Sequence, residues 1–223
     1  MLLALTFSAF VLFKGMQKKT GWVLLNPILL TIATLILYLK VTGISYETYS
    51  EGGQLIEFWL KPAVVALGVP LYLQLEMIKK QLLPILLSQL VGCLVGLVSV
   101  ILIAKELGAT PEVVCSLAPK SVTTPIAMEV SDATGGIPSL TAAVVVLVGL
   151  FGAVFGFKVL GFGQVKSPIA QGLSMGTASH AIGTSAAMEI SSKYGAYASL
   201  GLTLNGILTA VLAPTVLRLL GVI

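Results

Sequence analysis

Apolar residues run through this chain in long stretches without a charge. Trp22 to Leu39, Gln81 to Ala104 and Ile137 to Phe157 contain no Asp, Glu, Lys or Arg. Each approaches the roughly 20 apolar residues with which a helix spans a bilayer. None alternates in and out over about ten residues, as the strand of an outer-membrane barrel does. The pattern predicts an all-α polytopic membrane protein. A further run, Met1 to Phe13, covers only about 20 Å of a hydrocarbon core about 30 Å thick. Its charges, Lys14, Lys18 and Lys19, follow it, whereas a secretory signal places them first. It is expected to be a first helix.

Composition agrees: 57% of residues are hydrophobic and 10% charged, against roughly 25% charged in soluble domains. That balance excludes an ordinary soluble enzyme. The net charge of +4 comes from basic residues in short loops, with no stripe along a soluble face, so no nucleic-acid partner is expected. Cys93 and Cys115 are the only cysteines and His180 the only histidine. Neither a disulfide framework nor a zinc site can be assembled from them, and no cofactor is expected.

The second half repeats itself. Ala118-Pro-Lys-Ser-Val-Thr-Thr-Pro-Ile-Ala-Met-Glu-Val-Ser131 aligns without gaps with Ala178-Ser-His-Ala-Ile-Gly-Thr-Ser-Ala-Ala-Met-Glu-Ile-Ser191, 60 positions on (178 − 118). Thr124 pairs with Thr184, Glu129 with Glu189 and Gly135 with Gly195, after which both copies become apolar. Each unit has two short arms around a polar centre: Pro111 to Ala118 with Pro125 to Thr134, and Ser167 to Ser174 with Ser185 to Tyr194. Ten helical residues reach only about 15 Å, so the arms form either one broken span or a hairpin that enters and leaves on one side. Irregular backbone at membrane depth needs a polar cavity in both cases.

Charge placement favours the hairpin. With Lys14, Lys18 and Lys19 inside, Glu47 and Glu51 fall outside, Lys79 and Lys80 inside, and Lys105, Glu106 and Glu112 outside. A hairpin then lets Ile137 to Phe157 return Lys158 and Lys166 to the cytoplasm, as the positive-inside rule prefers. It also makes the two units antiparallel, an inverted repeat of the kind found in secondary transporters. About six transmembrane helices plus two re-entrant or broken hairpins are expected. Residues 1–105 form a scaffold and 106–223 a transport core with units 110–160 and 168–222. Within the scaffold, Pro62, Gly68 and Pro70 are expected to break a span over 55–72.

The hairpin centres carry the candidate chemistry. Thr124 followed by Pro125 reads as an N-cap and first helical residue, and Thr184 or Ser185 as the second cap. Helix N-termini at membrane depth suit an anion. Lys120 and His180 occupy equivalent positions beside them. With Ser121, Thr123, Thr124, Pro125, Gly183, Thr184 and Ser185, they are expected to bind a small organic anion between the hairpin tips near mid-membrane. Glu129 and Glu189 each lie nine residues further on (129 − 120, 189 − 180). A carboxylate there is costly unless paired, protonated or wet, which makes the two candidate proton or cation coupling sites. Pro62, Ala63 and Asn205 are expected to line the cavity. Gly172-Leu-Ser-Met-Gly176 matches a nucleophile elbow, but that motif needs a strand-turn-helix setting. Tight helix packing explains the glycines.

Ala118-Pro-Lys-Ser-Val-Thr-Thr-Pro-Ile-Ala-Met128, Ser179-His-Ala-Ile-Gly-Thr184 and Pro62-Ala-Val-Val-Ala-Leu-Gly-Val-Pro-Leu-Tyr72 resemble signature stretches of the LrgB/CidB family, over nearly the whole chain. The resemblance implies an antiholin-like protein or regulator of murein hydrolase export, with relatives that include a plastid glycolate/glycerate translocator and bacterial proteins of pyruvate handling. It also implies a small LrgA/CidA-type membrane partner and residence in the bacterial inner membrane. Read together with the repeat, it points to a carrier of small monocarboxylates, proton- or sodium-coupled, working by alternating access as a homodimer. The competing expectation is a holin-like pore or a regulatory membrane subunit.

Overall fold

The computed structural model describes residues 2–20, 25–66, 68–73 and 75–223, excluding the side chains of 55–57, 60, 61, 63–66, 68, 70, 71, 77 and 78. Every regular element among the described residues is a helix, and the chain divides into two compact units, 1–67 and 68–223. This boundary falls earlier than the one expected at 105/106.

The first unit contains α1 (Leu2–Thr20), α2 (Pro27–Thr42) and α3 (Tyr46–Ala66). Asn26 starts α2 by accepting the Ile28 and Leu29 N–H groups at 2.9 and 3.3 Å. Pro27 occupies the first turn, where a missing N–H costs little. Gly43, at φ 69°, ends the helix in the left-handed conformation that glycine adopts freely. At 16 residues α2 is shorter than the span expected from Trp22 to Leu39. The Thr6 and Tyr49 hydroxyls, 3.1 Å apart, join α1 to α3. Pro62 lies inside α3, so the break expected there is absent. The rest of the expected break, around Gly68, adjoins residue 67, which lies outside the described residues.

The second unit opens with α4 (Gly68–Leu73) and α5 (Leu75–Lys80), followed by α6 (Leu82–Glu106). Along α6 the buried residues Ile85, Gln89, Cys93, Leu97 and Ile101 recur every four positions. That spacing makes one continuous stripe on a helix. Its lower part packs with Val114 and Cys115 of α7 (Pro111–Leu117) and with Ala213 and Leu217 of α11 (Ser192–Leu219). α6 therefore belongs to the repeat core.

Two helical hairpins follow, each leading into a long helix. The first is α7 and α8 (Thr124–Ala133), leading into α9 (Pro138–Phe162). Ser116 of α7 accepts the Ile137 N–H at 2.7 Å, and its carbonyl oxygen lies 3.0 Å from Thr141 Oγ1. Thr141 Oγ1 also stands 2.8 Å from Ser131 Oγ, so the end of α8 and the start of α9 come back beside α7. The second hairpin lies within α10 (Pro168–Ile190), which breaks at Ser179 and His180. A Cβ on Gly183 would stand 2.7 Å from the Met175 carbonyl oxygen. Residues eight apart on a straight helix are separated by about 12 Å, so arms 168–178 and 181–190 fold against each other.

Glycines permit these close approaches. A Cβ on Gly172 would sit 2.7 Å from the Tyr194 carbonyl oxygen, and one on Gly176 would sit 2.8 Å from Leu202 N, both in α11. Gly149, Gly152 and Gly156 give α9 a flat face for His180, Ser179 and Met175. The Gly172/Gly176 pair thus seats one arm on a neighbouring helix. Among the described residues three helices, α6, α9 and α11, are long and apolar enough to cross a membrane.

Candidate binding cavity at the hairpin tips

The polar residues of the breaks converge. Between α7 and α8 the chain makes two tight turns, Lys120 N–H to the Leu117 carbonyl and Val122 N–H to the Pro119 carbonyl. This tip runs over 118–123, and the second tip lies at Ser179 and His180. Asn205, buried in the middle of α11, reaches both hairpins. Its Nδ2 donates to the Ser121 carbonyl at 3.3 Å and to the Thr177 carbonyl at 2.9 Å. One amide with two N–H groups thereby satisfies a carbonyl from each irregular segment, which apolar surroundings would leave at a cost of about 1–3 kcal/mol apiece.

A cavity of about 1170 Å³ opens beside this junction, lined by α6, the first tip, α9, α10 and α11. Lys120 is the charged residue in its lining, among the described residues. Lys120 Nζ donates to Ser121 Oγ at 3.3 Å, and no described carboxylate forms an ion pair with it. Across the cavity Thr177 Oγ1 lies 2.5 Å from Gln89 Oε1 and 2.7 Å from the Leu173 carbonyl oxygen. Apart from these groups and a few serines the walls are apolar, with Ile85, Leu97, Leu147, Phe151 and Leu173 among them. A half-buried ammonium beside neutral hydrogen-bonding groups, inside an apolar wall, suits a ligand with one negative charge. A second carboxylate would be left unpaired in a low-dielectric site.

The structure separates the expected site residues into groups. Lys120, Ser121 and Asn205 line the cavity. His180 does not: it is 3% exposed, and its Nε2 meets the Val145 carbonyl of α9 at 2.8 Å. The expected Lys120/His180 pair therefore does not face one pocket. The first helix start lies one residue earlier than expected, with Thr123 as N-cap, without a side-chain hydrogen bond, and Thr124 as the first helical residue. Thr184 and Ser185 are not caps. They sit within the second arm and donate back to the His180 and Ala181 carbonyls, four residues earlier. Thr123, Thr124, Pro125, Gly183, Thr184 and Ser185 lie off the cavity lining.

Glu129 and Glu189 are both exposed on the return arms and outside the lining. Pro62 is exposed within α3, and the side chain of Ala63 lies outside the described residues. Sequence reasoning missed Gln89 and Thr177. Gln89 was visible as an amide in the middle of an apolar run, at the buried phase of the α6 stripe. Thr177 gave no such sign, because its repeat counterpart is Leu117.

Comparison with known proteins places these features in a family. The profile described as the LrgB-like family matches residues 6–219. An uncharacterized protein of Haemophilus influenzae is 41% identical over 216 residues, covering 97% of this chain and 94% of its own. Protein YwbG of Bacillus subtilis is 39% identical, covering 96% of each. A protein of Staphylococcus aureus named holin-like protein CidB is 36% identical, covering 98% of this chain and 96% of its own. No solved structure matches the chain.

Proposed function

We propose that this chain, which belongs to the LrgB-like family, is a non-enzymatic carrier of small monocarboxylates of the pyruvate or glycolate kind. The observation that carries the reading is the junction of both hairpins at Asn205, beside a cavity whose described lining holds Lys120 as its charge. A carboxylate seated against Lys120 cancels that charge. The complex then crosses apolar surroundings without an unpaired ion, the costly species at membrane depth.

In this reading the chain is a multi-pass protein of the bacterial inner membrane with about six spans. The hairpins are re-entrant and the repeat is inverted, with alternating access produced by exchange between its halves. Glu129 and Glu189 couple uptake to protons or sodium. The chain works as a homodimer or with a small LrgA/CidA-type membrane partner. The fold-back of each hairpin and the 60-residue repeat support this architecture.

A second reading is a holin-like pore or regulatory membrane subunit that changes murein hydrolase activity. The name of the Staphylococcus relatives favours it. So does the cavity of about 1170 Å³, which exceeds the roughly 300–1,000 Å³ of typical small-molecule sites. Purified protein in liposomes separates the two. Saturable uptake of labelled pyruvate that unlabelled glycolate or lactate competes away, measured across pH with and without sodium, is the carrier result. Leakage of unrelated solutes such as sucrose overturns it in favour of the pore.

A further inference from the structure

The 60-residue offset relates contacts as well as residues. Asn205 of α11 donates to the Ser121 carbonyl in the first tip. Its counterpart is Val145 of α9 (205 − 60 = 145), and Val145 contacts the second tip, accepting the His180 Nε2–H at 2.8 Å. One helical turn on, Thr209 lines the cavity with Lys120, while its counterpart Gly149 (209 − 60 = 149) abuts the His180 ring. Each tip is thus seated on the long helix of the other repeat. Such a reciprocal exchange is the mark of an internal two-fold axis.

The two tips differ in one respect: beyond its tie to Asn205 the first leaves its side chains in the cavity, while the second is closed on α9. Lys120 and Ser121 face the cavity. His180 and Ser179 are both 3% exposed. A Cβ on Gly149 would stand 2.5 Å from the His180 ring, and one on Gly152 would overlap Ser179. His180 is also held at φ 42°, ψ −138°, where a residue with a Cβ is disfavoured. Backbone strain of this kind opposes the conformation by a factor of roughly 5 to 150 and persists only where surrounding contacts impose it. The Val145 hydrogen bond and the flat glycine face of α9 impose it here.

We propose that His180 is a latch. The closed contact of His180 with Gly149 is the counterpart of the open space between Lys120 and Thr209, and the opposite-facing state arises when the two exchange. His180 leaves Val145 and Gly149, relieving its backbone, as Lys120 closes on Thr209 while the Asn205 tie to Ser121 stays in place. This rests on the carrier reading above. His180 is a positioning residue in it, touching α9 rather than the cavity.

The test is two-sided thiol labelling. In the protein with Cys93→Ala and Cys115→Ala, single cysteines Ser121→Cys and Ser179→Cys are exposed to an impermeant maleimide in right-side-out and inside-out vesicles. With the latch intact, Ser121→Cys labels from one face and Ser179→Cys, whose parent serine is 3% exposed, is protected. Adding His180→Ala raises Ser179→Cys labelling from the opposite face by about tenfold, the worth of one buried hydrogen bond, and lowers Ser121→Cys labelling. Gly149→Ala, which crowds the ring without altering the tip, gives the same shift and covers the case in which His180→Ala fails to fold. His180→Gln, whose amide can still donate to Val145, restores protection.

Ser179→Cys labelling from the same face as Ser121→Cys, or labelling that neither Gly149→Ala nor His180→Ala moves, overturns the latch. Pyruvate uptake in the same vesicles keeps the two ideas apart. Uptake without exchange of labelling refutes the latch alone, and exchange of labelling without uptake of any monocarboxylate refutes the carrier reading while the latch stands as a gate.

Discussion

Gly176→Ala places one methyl group where α11 already stands. The new Cβ overlaps the Ala198 carbonyl oxygen and lies 2.7 Å from Ala198 C and 2.8 Å from Leu202 N. All three are backbone atoms, so no side chain can swing away. Ordinary carbon contacts sit at about 3.5–4.0 Å, so the arm and α11 must part by about 1 Å, a gap that forfeits a quarter to a half of each contact's attraction. The contacts at stake include the buried clusters Leu173–Tyr197–Leu200 and Met175–Ala198. Overpacking costs about 1–3 kcal/mol in cores that can relax, and this site belongs at the upper end. Alanine returns about 1 kcal/mol of helix propensity, leaving a net loss of about 2 kcal/mol. Gly15→Ala in α1 is the control, since its Cβ meets nothing within 4 Å, and a gain of up to about 1 kcal/mol is expected. Reversible unfolding in mixed micelles of rising SDS fraction, followed by circular dichroism, measures both. The reasoning fails if Gly176→Ala is as stable as the parent, or if both variants shift in the same direction.

Other substitutions address the cavity. Lys120→Gln is expected to raise the KM for pyruvate about 10- to 100-fold, the loss of one charge-assisted hydrogen bond, with unfolding unchanged; an unaltered KM removes Lys120 from the site. Asn205→Leu leaves the Ser121 and Thr177 carbonyls without their donor and should lower stability by about 2 kcal/mol while abolishing uptake, since two buried hydrogen bonds go together. Thiol labelling of Ser121→Cys in that background should rise as the tip loosens, and an unchanged rate contradicts the tie. Glu129→Gln and Glu189→Gln leave the cavity lining intact, so binding of the anion should persist while the pH profile of uptake flattens. A profile identical to the parent's excludes both from coupling.

Much of this was legible along the chain because membrane depth punishes irregularity. The repeat singled out both polar-centred segments: the first bend, at 118–123, falls at its first centre, while the second, at Ser179 and His180, comes at the start of the stretch His180 to Ser185 that it marked. Gly172 and Gly176 announced close packing for the same reason, since small residues are what let helix backbones meet in lipid. Orientation was not legible. Lys120 and His180 are equivalent in sequence, yet one faces a cavity and the other a backbone carbonyl, because α9 meets the histidine with Gly149, whereas the counterpart of that glycine on α11, Thr209, lines the cavity with the lysine. Thr184 and Ser185 looked like caps by residue type, but the second tip turns through a strained histidine at a sharp break and leaves those hydroxyls inside the arm. Pro62 looked like a break because proline removes one helical hydrogen bond, but the helix continues through it.

The exchange of seats between the repeats also fixes an order of manufacture. Val145 is synthesised before His180, so the second hairpin finds its support waiting when it leaves the ribosome. The first hairpin has no such fortune, because Ser121 precedes Asn205 by 84 residues (205 − 121). At about 5–20 residues per second that is a wait of roughly 4 to 17 seconds. Through that interval the carbonyl of Ser121 depends on water or on the insertion machinery for a donor, so the earliest-made half of the core is the last to be completed.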